Sequence, residues 1–125
     1  MATTAWRDLA LDASGDLMIA GGDVALLQGV DAIAQNCKTA LLLYAGEAPF
    51  DVTLGVDWPA LFTKGPAAAT NARVVAEVSR VLAGVLGVAA VDSVVVDRDR
   101  ATRAATIRCT IRTDAGATAT VVVGV

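Results

Sequence analysis

The sequence contains no histidine. Histidine is the commonest general base and metal ligand near neutral pH, so its absence excludes a histidine-containing catalytic triad and narrows the remaining chemistry sharply. Cysteine is almost as scarce. Cys37 and Cys109 are the only two, and they lie far apart in the chain, which reads as a pair of buried thiols. Aromatic residues are few, at 4%, so the apolar fraction of 55% is supplied mostly by Ala, Val and Leu. No apolar run reaches the roughly 18 residues that a membrane span requires. The start of the chain lacks a basic-then-apolar leader, since Trp6-Arg7-Asp8 follows only a few small residues, and a cytosolic origin is expected.

What is present points to one folded domain. A chain of 125 residues with this apolar content is unlike a disordered segment. A domain of that size buries roughly two thirds of its unfolded surface, enough for a core without disulfides or metals. The net charge of −3 hides an asymmetry: residues 1–60 carry eight carboxylates against two cations, and residues 61–125 carry eight cations against five carboxylates. Opposite-signed halves can pack on each other or on neighbouring copies, and the acidic total is wrong for a general nucleic-acid binder.

The stretch from Gln35 to Trp58 organises the chain. Residues 7–11 and 16–20 alternate weakly around Asp12-Ala13-Ser14-Gly15 and predict a small hairpin. Gly21-Gly22-Asp23 predicts another turn, and Val24–Leu27 reads either as a strand or as a lead into a helix. Val30, Ile33, Ala34, Cys37, Leu41 and Tyr44 recur at helical spacing and predict a helix over 30–44, with Leu42 on its polar side. Gly46 is read as its stop, Pro49 as a block to resumption, and Gly55 as a second bend. Trp58–Phe62 predicts a short helical turn with Pro59 in the first position, ended by Lys64-Gly65-Pro66. Val74, Val75, Val78, Val81, Leu82 and Val85 predict a second helix over 70–86, closed by Gly87, with Glu77 and Arg80 paired on its outer face. Three strands follow: 91–97, 104–113 and 118–123, the last two joined by a turn at Asp114-Ala115-Gly116. In the middle strand Ala105, Ile107, Cys109 and Ile111 face one way, and Thr106, Arg108, Thr110 and Arg112 the other. The fold class expected is α+β: two main helices packed on a mainly antiparallel sheet, with an N-terminal hairpin and a C-terminal three-stranded meander.

Little of this carries chemistry. Glu47 and Asp51 are carboxylates close together beside a sharp bend, and paired carboxylates can perform glycosidase-type acid/base work. Neither has a nearby cation or an apolar pocket in the sequence to tune it, and capping a turn is the plainer role. Asp97-Arg98-Asp99-Arg100 reads as a solvated hairpin tip. Arg98, Arg100, Arg103, Arg108 and Arg112 form a basic edge, but no phosphate loop accompanies them and no aromatic residues stand among them to stack bases, so a charged protein interface fits better. The ending Thr-Val-Val-Val-Gly-Val is β-branched and uncharged. If it forms an edge strand, it invites pairing with another chain through backbone hydrogen bonds.

The order Gln35…Leu41…Gly46-Glu47…Asp51…Gly55…Trp58, following an acidic, glycine-punctuated hairpin, resembles the small baseplate wedge proteins of contractile phage tails. These include the Mu-type baseplate protein and, more distantly, the lysozyme-like baseplate protein W of P2-type phages. The W-like branch carries Glu-Pro-Arg at the start of its first meander strand; here that region reads Gly87-Val88-Ala89-Ala90-Val91, which favours the Mu-type branch. The resemblance implies that residues 1–125 form a single wedge or sheath-initiator domain with a structural, non-enzymatic role and no cofactor. It implies a place in the virion's tail baseplate after assembly in the host cytoplasm, with baseplate wedge proteins, the tail sheath protein and tail tube or hub proteins as partners, and neither nucleic acid nor membrane. Gln35, Gly46, Glu47, Asp51, Gly55, Trp58, Arg108, Arg112, Thr118, Thr120 and Val122 are then the expected partner-interface residues. A baseplate-associated cell-wall hydrolase using Glu47 and Asp51 is the alternative, and a free-standing cytosolic α+β module with an unknown ligand a third.

Overall fold

The computed structural model describes residues 7–51, 53–63, 67–99, 101–102 and 104–124. The expected stop at Lys64-Gly65-Pro66, Arg100 and Arg103 of the basic edge, and Val125 lie outside them.

The chain opens with an arm of short strands: β1 (Arg7–Leu9), β2 (Ile19–Ala20), β3 (Asp23–Val24) and β4 (Leu26–Gln28). The turn expected at Asp12–Gly15 is there, with Asp12 N–H donating to Asp16 O at 2.8 Å and Leu11 bridged to Leu17. The pairing beyond it differs from the simple hairpin expected. β1 pairs antiparallel with β4, and β2 with β3 across Gly21-Gly22. Both of those glycines have positive φ, 59° and 80°, as a tight hairpin turn of matching twist requires. The reason is main-chain saturation. Ala10 N–H donates to Ala25 O, Ala25 N–H to Met18 O, and Met18 N–H to Ala10 O, each at 2.9 Å. This closed ring satisfies groups beside the buried Ala10 that a lone hairpin would leave unpaired. Val24–Leu27, left open between strand and helix lead, is thus divided between β3 and β4.

Helix α1 (Val30–Leu42) follows, with Ile33, Cys37 and Leu41 fully inside at i, i+4 and i+8. It ends two residues before the expected Tyr44. Leu43 turns extended, Leu43 O accepts from Val56 N–H at 2.9 Å, and Ala45 N–H donates to Val56 O at 3.2 Å. Tyr44 therefore leaves the apolar stripe and stands 53% exposed. The stop is this short parallel bridge to Val56, while Gly46, with φ 81°, makes the turn after it.

Helix α2 (Trp58–Thr63) is capped by Asp57, whose Oδ1 accepts from Ala60 N–H at 3.2 Å. Helix α3 (Ala67–Ala83) lies three residues earlier than expected at both ends. Alanine is the strongest helix former, and of the two readings open to Ala67–Ala69, a flexible link or a helix start, the second is the one observed. At the other end, Gly84 and Val85 donate to Val81 O and Leu82 O in tightened i→i−3 bonds that finish it before Gly87. Val74, Val78 and Leu82 form its fully buried line.

The meander is β5 (Val88–Arg98), β6 (Ala105–Thr113) and β7 (Thr118–Gly124), in the antiparallel order β5-β6-β7. β6 alternates as the sequence indicates, burying Ala105, Ile107, Cys109 and Ile111 and exposing Thr106, Arg108 and Arg112. α1 packs on β7 and α3 on β5, both on the buried face, so the fold is α+β.

Gly55 measures how tightly the α1–α2 connection is drawn. Its φ is 95°, and an added Cβ would sit 2.6 Å from Leu43 O and 2.7 Å from Tyr44 C, both fixed backbone atoms. Gly55→Ala is expected to cost at least ~3 kcal/mol, combining the roughly 1–2 kcal/mol of a left-handed L-residue with the clash. Gly46→Ala, with nothing within 4 Å of the new Cβ, should cost only the conformational part. Urea titration of both variants measures the difference, and equal losses would show that the loop relaxes around Gly55.

Candidate interaction site

The turn between β6 and β7 fixes which main-chain groups point out of the sheet. Gly116 N–H donates to Thr113 O at 2.9 Å and Thr113 N–H to Ala117 O at 2.8 Å, a three-residue loop with Gly116 in the left-handed region at φ 85°. Thr113 and Ala117 are therefore a hydrogen-bonded pair, and such pairs alternate with non-hydrogen-bonded ones along an antiparallel ladder. Given the register Ile111↔Ala119, Cys109↔Val121 and Ile107↔Val123, residues 119, 121 and 123 spend both backbone groups on β6. Thr118, Thr120, Val122 and Gly124 turn theirs outward. Among the described residues no strand pairs with that outer edge.

The other edge of the sheet is different. β5 carries register shifts between Val88 and Ala90 and between Val91 and Ser93, and Asp92 and Asp97 are exposed along it. Bulges and charges of this kind blunt an edge against pairing. The sheet thus has one irregular edge and one regular, open edge.

A groove of about 390 Å³ runs beside the open edge. Its walls are Thr120, Val121 and Val122 of β7, and Leu11, Asp12 and Gly15 of the arm; Ala34, Gln35, Lys38, Thr39 and Leu42 of α1 supply the rest. Gln35 holds these pieces together. Its Nε2 donates to Leu9 O at 2.7 Å and Asp8 Oδ2 at 3.0 Å, and its Oε1 accepts from Leu11 N–H at 2.9 Å. The sequence marked Gln35 but gave no hint of this tie, because its partners lie some 25 residues back in a segment with no periodic signal.

Of the remaining residues expected at an interface, Thr118, Thr120 and Val122 lie on the open strand, while Arg108 and Arg112 project from the solvent face of β6. Arg108 stands between Val95 and Val122 in the strand register and makes no ion pair among the described residues, whereas Arg112 lies 3.7 Å from Asp92. Trp58 and Gly55 are inside. Trp58 is 4% exposed, its indole N–H donates to Leu41 O at 2.8 Å, and its ring stacks on Phe62 at 6.1 Å. These two shape the α1–α2 loop from within and offer no surface themselves. The loop's surface is Tyr44, Phe50 and Leu54, and Phe50 is 86% exposed. Arg98, read as part of a solvated tip, is exposed and also lies over the Phe62 ring at 5.0 Å.

Glu47 and Asp51 serve the same loop. Glu47 Oε2 accepts from Tyr44 N–H at 3.0 Å, and Glu47 N–H donates to Tyr44 O at the same distance. The Thr53 hydroxyl and amide donate to Asp51 and hold its carboxyl below the usual range. A glycosidase acid needs the opposite shift. Both carboxylates are turn braces in this geometry.

The matching family model, contractile injection system sheath initiator, covers residues 7–116. The fold thus belongs to a structural tail component, and the chain is a member of the contractile injection system sheath initiator family. Its match stops at Gly116, immediately before β7. No curated protein matches the chain. Among solved structures, a crystal structure of a Geobacter sulfurreducens protein with the provisional name tail lysozyme is similar, with TM-score 0.66, 18% identity, and coverage of 76% of this chain and 87% of that one. At that identity the likeness is one of fold. Among the described residues no His/Cys/Asp/Glu cluster could hold a metal, and no helix is long and apolar enough to cross a membrane.

Burial pushes the thiols of Cys37 and Cys109 up to about 11, so neither is a nucleophile at neutral pH. The native state keeps them protonated while the unfolded chain ionises near the ordinary value of 9.0. Their stabilising effect is complete below that value and is lost as pH rises from 9 toward 11. The limit is roughly 3 kcal/mol per thiol. Denaturation across this window, compared with the Cys37→Ala/Cys109→Ala double variant, should show a shallower alkaline decline in the variant.

Proposed function

We propose that this protein starts sheath assembly by β-strand addition: β7 receives an extended segment of a tail sheath subunit while the α1–α2 loop seats the domain on baseplate wedge proteins. The observation that carries the reading is the row of outward backbone groups at Thr118, Thr120, Val122 and Gly124, set opposite a bulged and charged β5 edge. Main-chain bonds supply affinity in this mode, and side-chain pockets supply specificity. Arg108 and Arg112, beside the open strand on the solvent face, add a charged surface suited to a protein partner. The setting is the tail baseplate of a phage virion put together in the host cytoplasm, with tube or hub proteins as further neighbours. Family membership supports the role in the tail, and the open edge supports its mechanism.

Proline scanning separates the outer edge from the fold. Thr120→Pro and Val122→Pro each delete an outward donor and no ladder bond, so folding should survive, as edge prolines do. Losing such a donor leaves its bonding partner unsatisfied, at about 1–3 kcal/mol per site. The double variant should keep a near-native melting temperature yet fail to recruit sheath, as scored by electron microscopy of assembled tails. Val121→Pro removes a bond to β6 and should destabilise the domain itself. Normal sheathed tails from the folded Thr120→Pro/Val122→Pro variant would refute strand addition.

The wedge contact has its own test. Phe50 is almost fully exposed, so Phe50→Asp should change stability by no more than about 0.5 kcal/mol. Its expected effect is loss of co-purification with wedge proteins, and retained co-purification would remove Phe50 from that contact.

A further inference from the structure

The groove beside β7 is more than clearance along a strand. α1 lies closest to β7, the outermost strand, while its inner line Ile33, Cys37 and Leu41 shares the core with β6. The line Ile33, Cys37 and Leu41 faces the core, while Ala34, Lys38 and Leu42, each one position further round, line the space beyond β7. Part of α1 therefore overhangs the position that the next strand of the sheet would occupy. The arm supplies the far wall through Leu11, Asp12 and Gly15, and Gln35 fixes its distance from the helix through three hydrogen bonds. At about 390 Å³ the space exceeds what one side chain needs and suits a short stretch of extended chain.

Strand geometry then assigns the facing side chains. Residues directly opposite each other on neighbouring strands point to the same face of a sheet. The residue of an added strand opposite Val121 therefore points, like Val121, toward α1. The residues before and after it point to the solvent face beside Thr120 and Val122. The surface awaiting that one side chain is Ala34, Leu42 and Val121 with the Lys38 stem alongside, while Gln35 is engaged with the arm and the Thr39 hydroxyl donates to Gln35 O. A polar group there would give up water for few partners, whereas the long stem of Lys38 can cover an apolar group while its ammonium stays in solvent. This also accounts for Leu42, 47% exposed on the otherwise polar side of α1.

We propose that this overhang of α1 selects the incoming strand, admitting an extended sheath-subunit segment whose residue opposite Val121 is apolar and seats on Ala34 and Leu42. The proposal rests on the strand-addition reading above and adds the side-chain requirement to it. The probe is the purified sheath subunit of the same particle, titrated into the isotope-labelled full chain. Amide-exchange protection at Thr120 and Val122 reports edge pairing, and the titration gives affinity. The variants are Leu42→Asp, at a half-exposed position at the end of α1, and Ala34→Phe, which fills the groove from the edge of the core. Each melting temperature is measured first. Both variants are expected to weaken binding about tenfold or more, the effect of losing one buried apolar side chain. Lys38→Ala should change it little. If the two amides become protected on binding but Leu42→Asp binds like the parent chain, the side-chain requirement is wrong while strand addition stands. If Lys38→Ala weakens binding and Leu42→Asp does not, selection is ionic and the proposal is overturned. If the parent chain shows no protection at Thr120 or Val122, strand addition and this proposal fall together.

Discussion

The end of α1 is the joint on which this molecule is assembled. Three groups from residues 55–58 converge there. Val56 pairs with Leu43 and Ala45, the Trp58 indole takes the Leu41 carbonyl, and Gly55 lies so close to Leu43 and Tyr44 that no side chain fits. A helix terminus leaves carbonyls without intrahelical partners, and burying one unpaired is costly. Here the chain returns to satisfy them, which holds the two ends of the α1–α2 connection together just before α2 begins. α2 in turn holds Phe62 against Trp58, and Phe62 meets Arg98 at the tip of β5. One buried joint thereby ties the helices to the meander.

The long elements were legible in the sequence because each has a period. The 105–113 strand alternates without a break, and Val74, Val78 and Leu82 mark a helical line that survives a three-residue error at both ends of α3. Boundaries were less legible. Tyr44 fits the helical spacing, yet it leaves the helix because pairing with Val56, twelve residues on, satisfies more of the backbone than another half turn would. The arm was the least legible part. Its strands are two or three residues long and its stability comes from a ring of backbone bonds, which are indifferent to side-chain pattern.

The candidate site divides along the same lines. Thr118, Thr120 and Val122 could be marked from composition and alternation, and the hairpin turn at Gly116 shows why those three and not their neighbours turn their backbone outward. Trp58 and Gly55 drew notice as part of an unusual run, but their constraint is internal. What no pattern revealed is the groove, because it is built from a strand, a helix face and a distant loop, the last tied to the helix by Gln35.

The unequal edges of the sheet have a consequence for the protein before it meets a partner. In the language of polymer chemistry a subunit with two reactive ends propagates, and a subunit with one can only terminate. With β5 kinked twice between Val88 and Ser93 and charged at Asp92 and Asp97, β7 is the more reactive edge: two copies can cap one another there, and growth beyond the pair is disfavoured. Such an imbalance keeps a sticky strand ready while working against open-ended stacking.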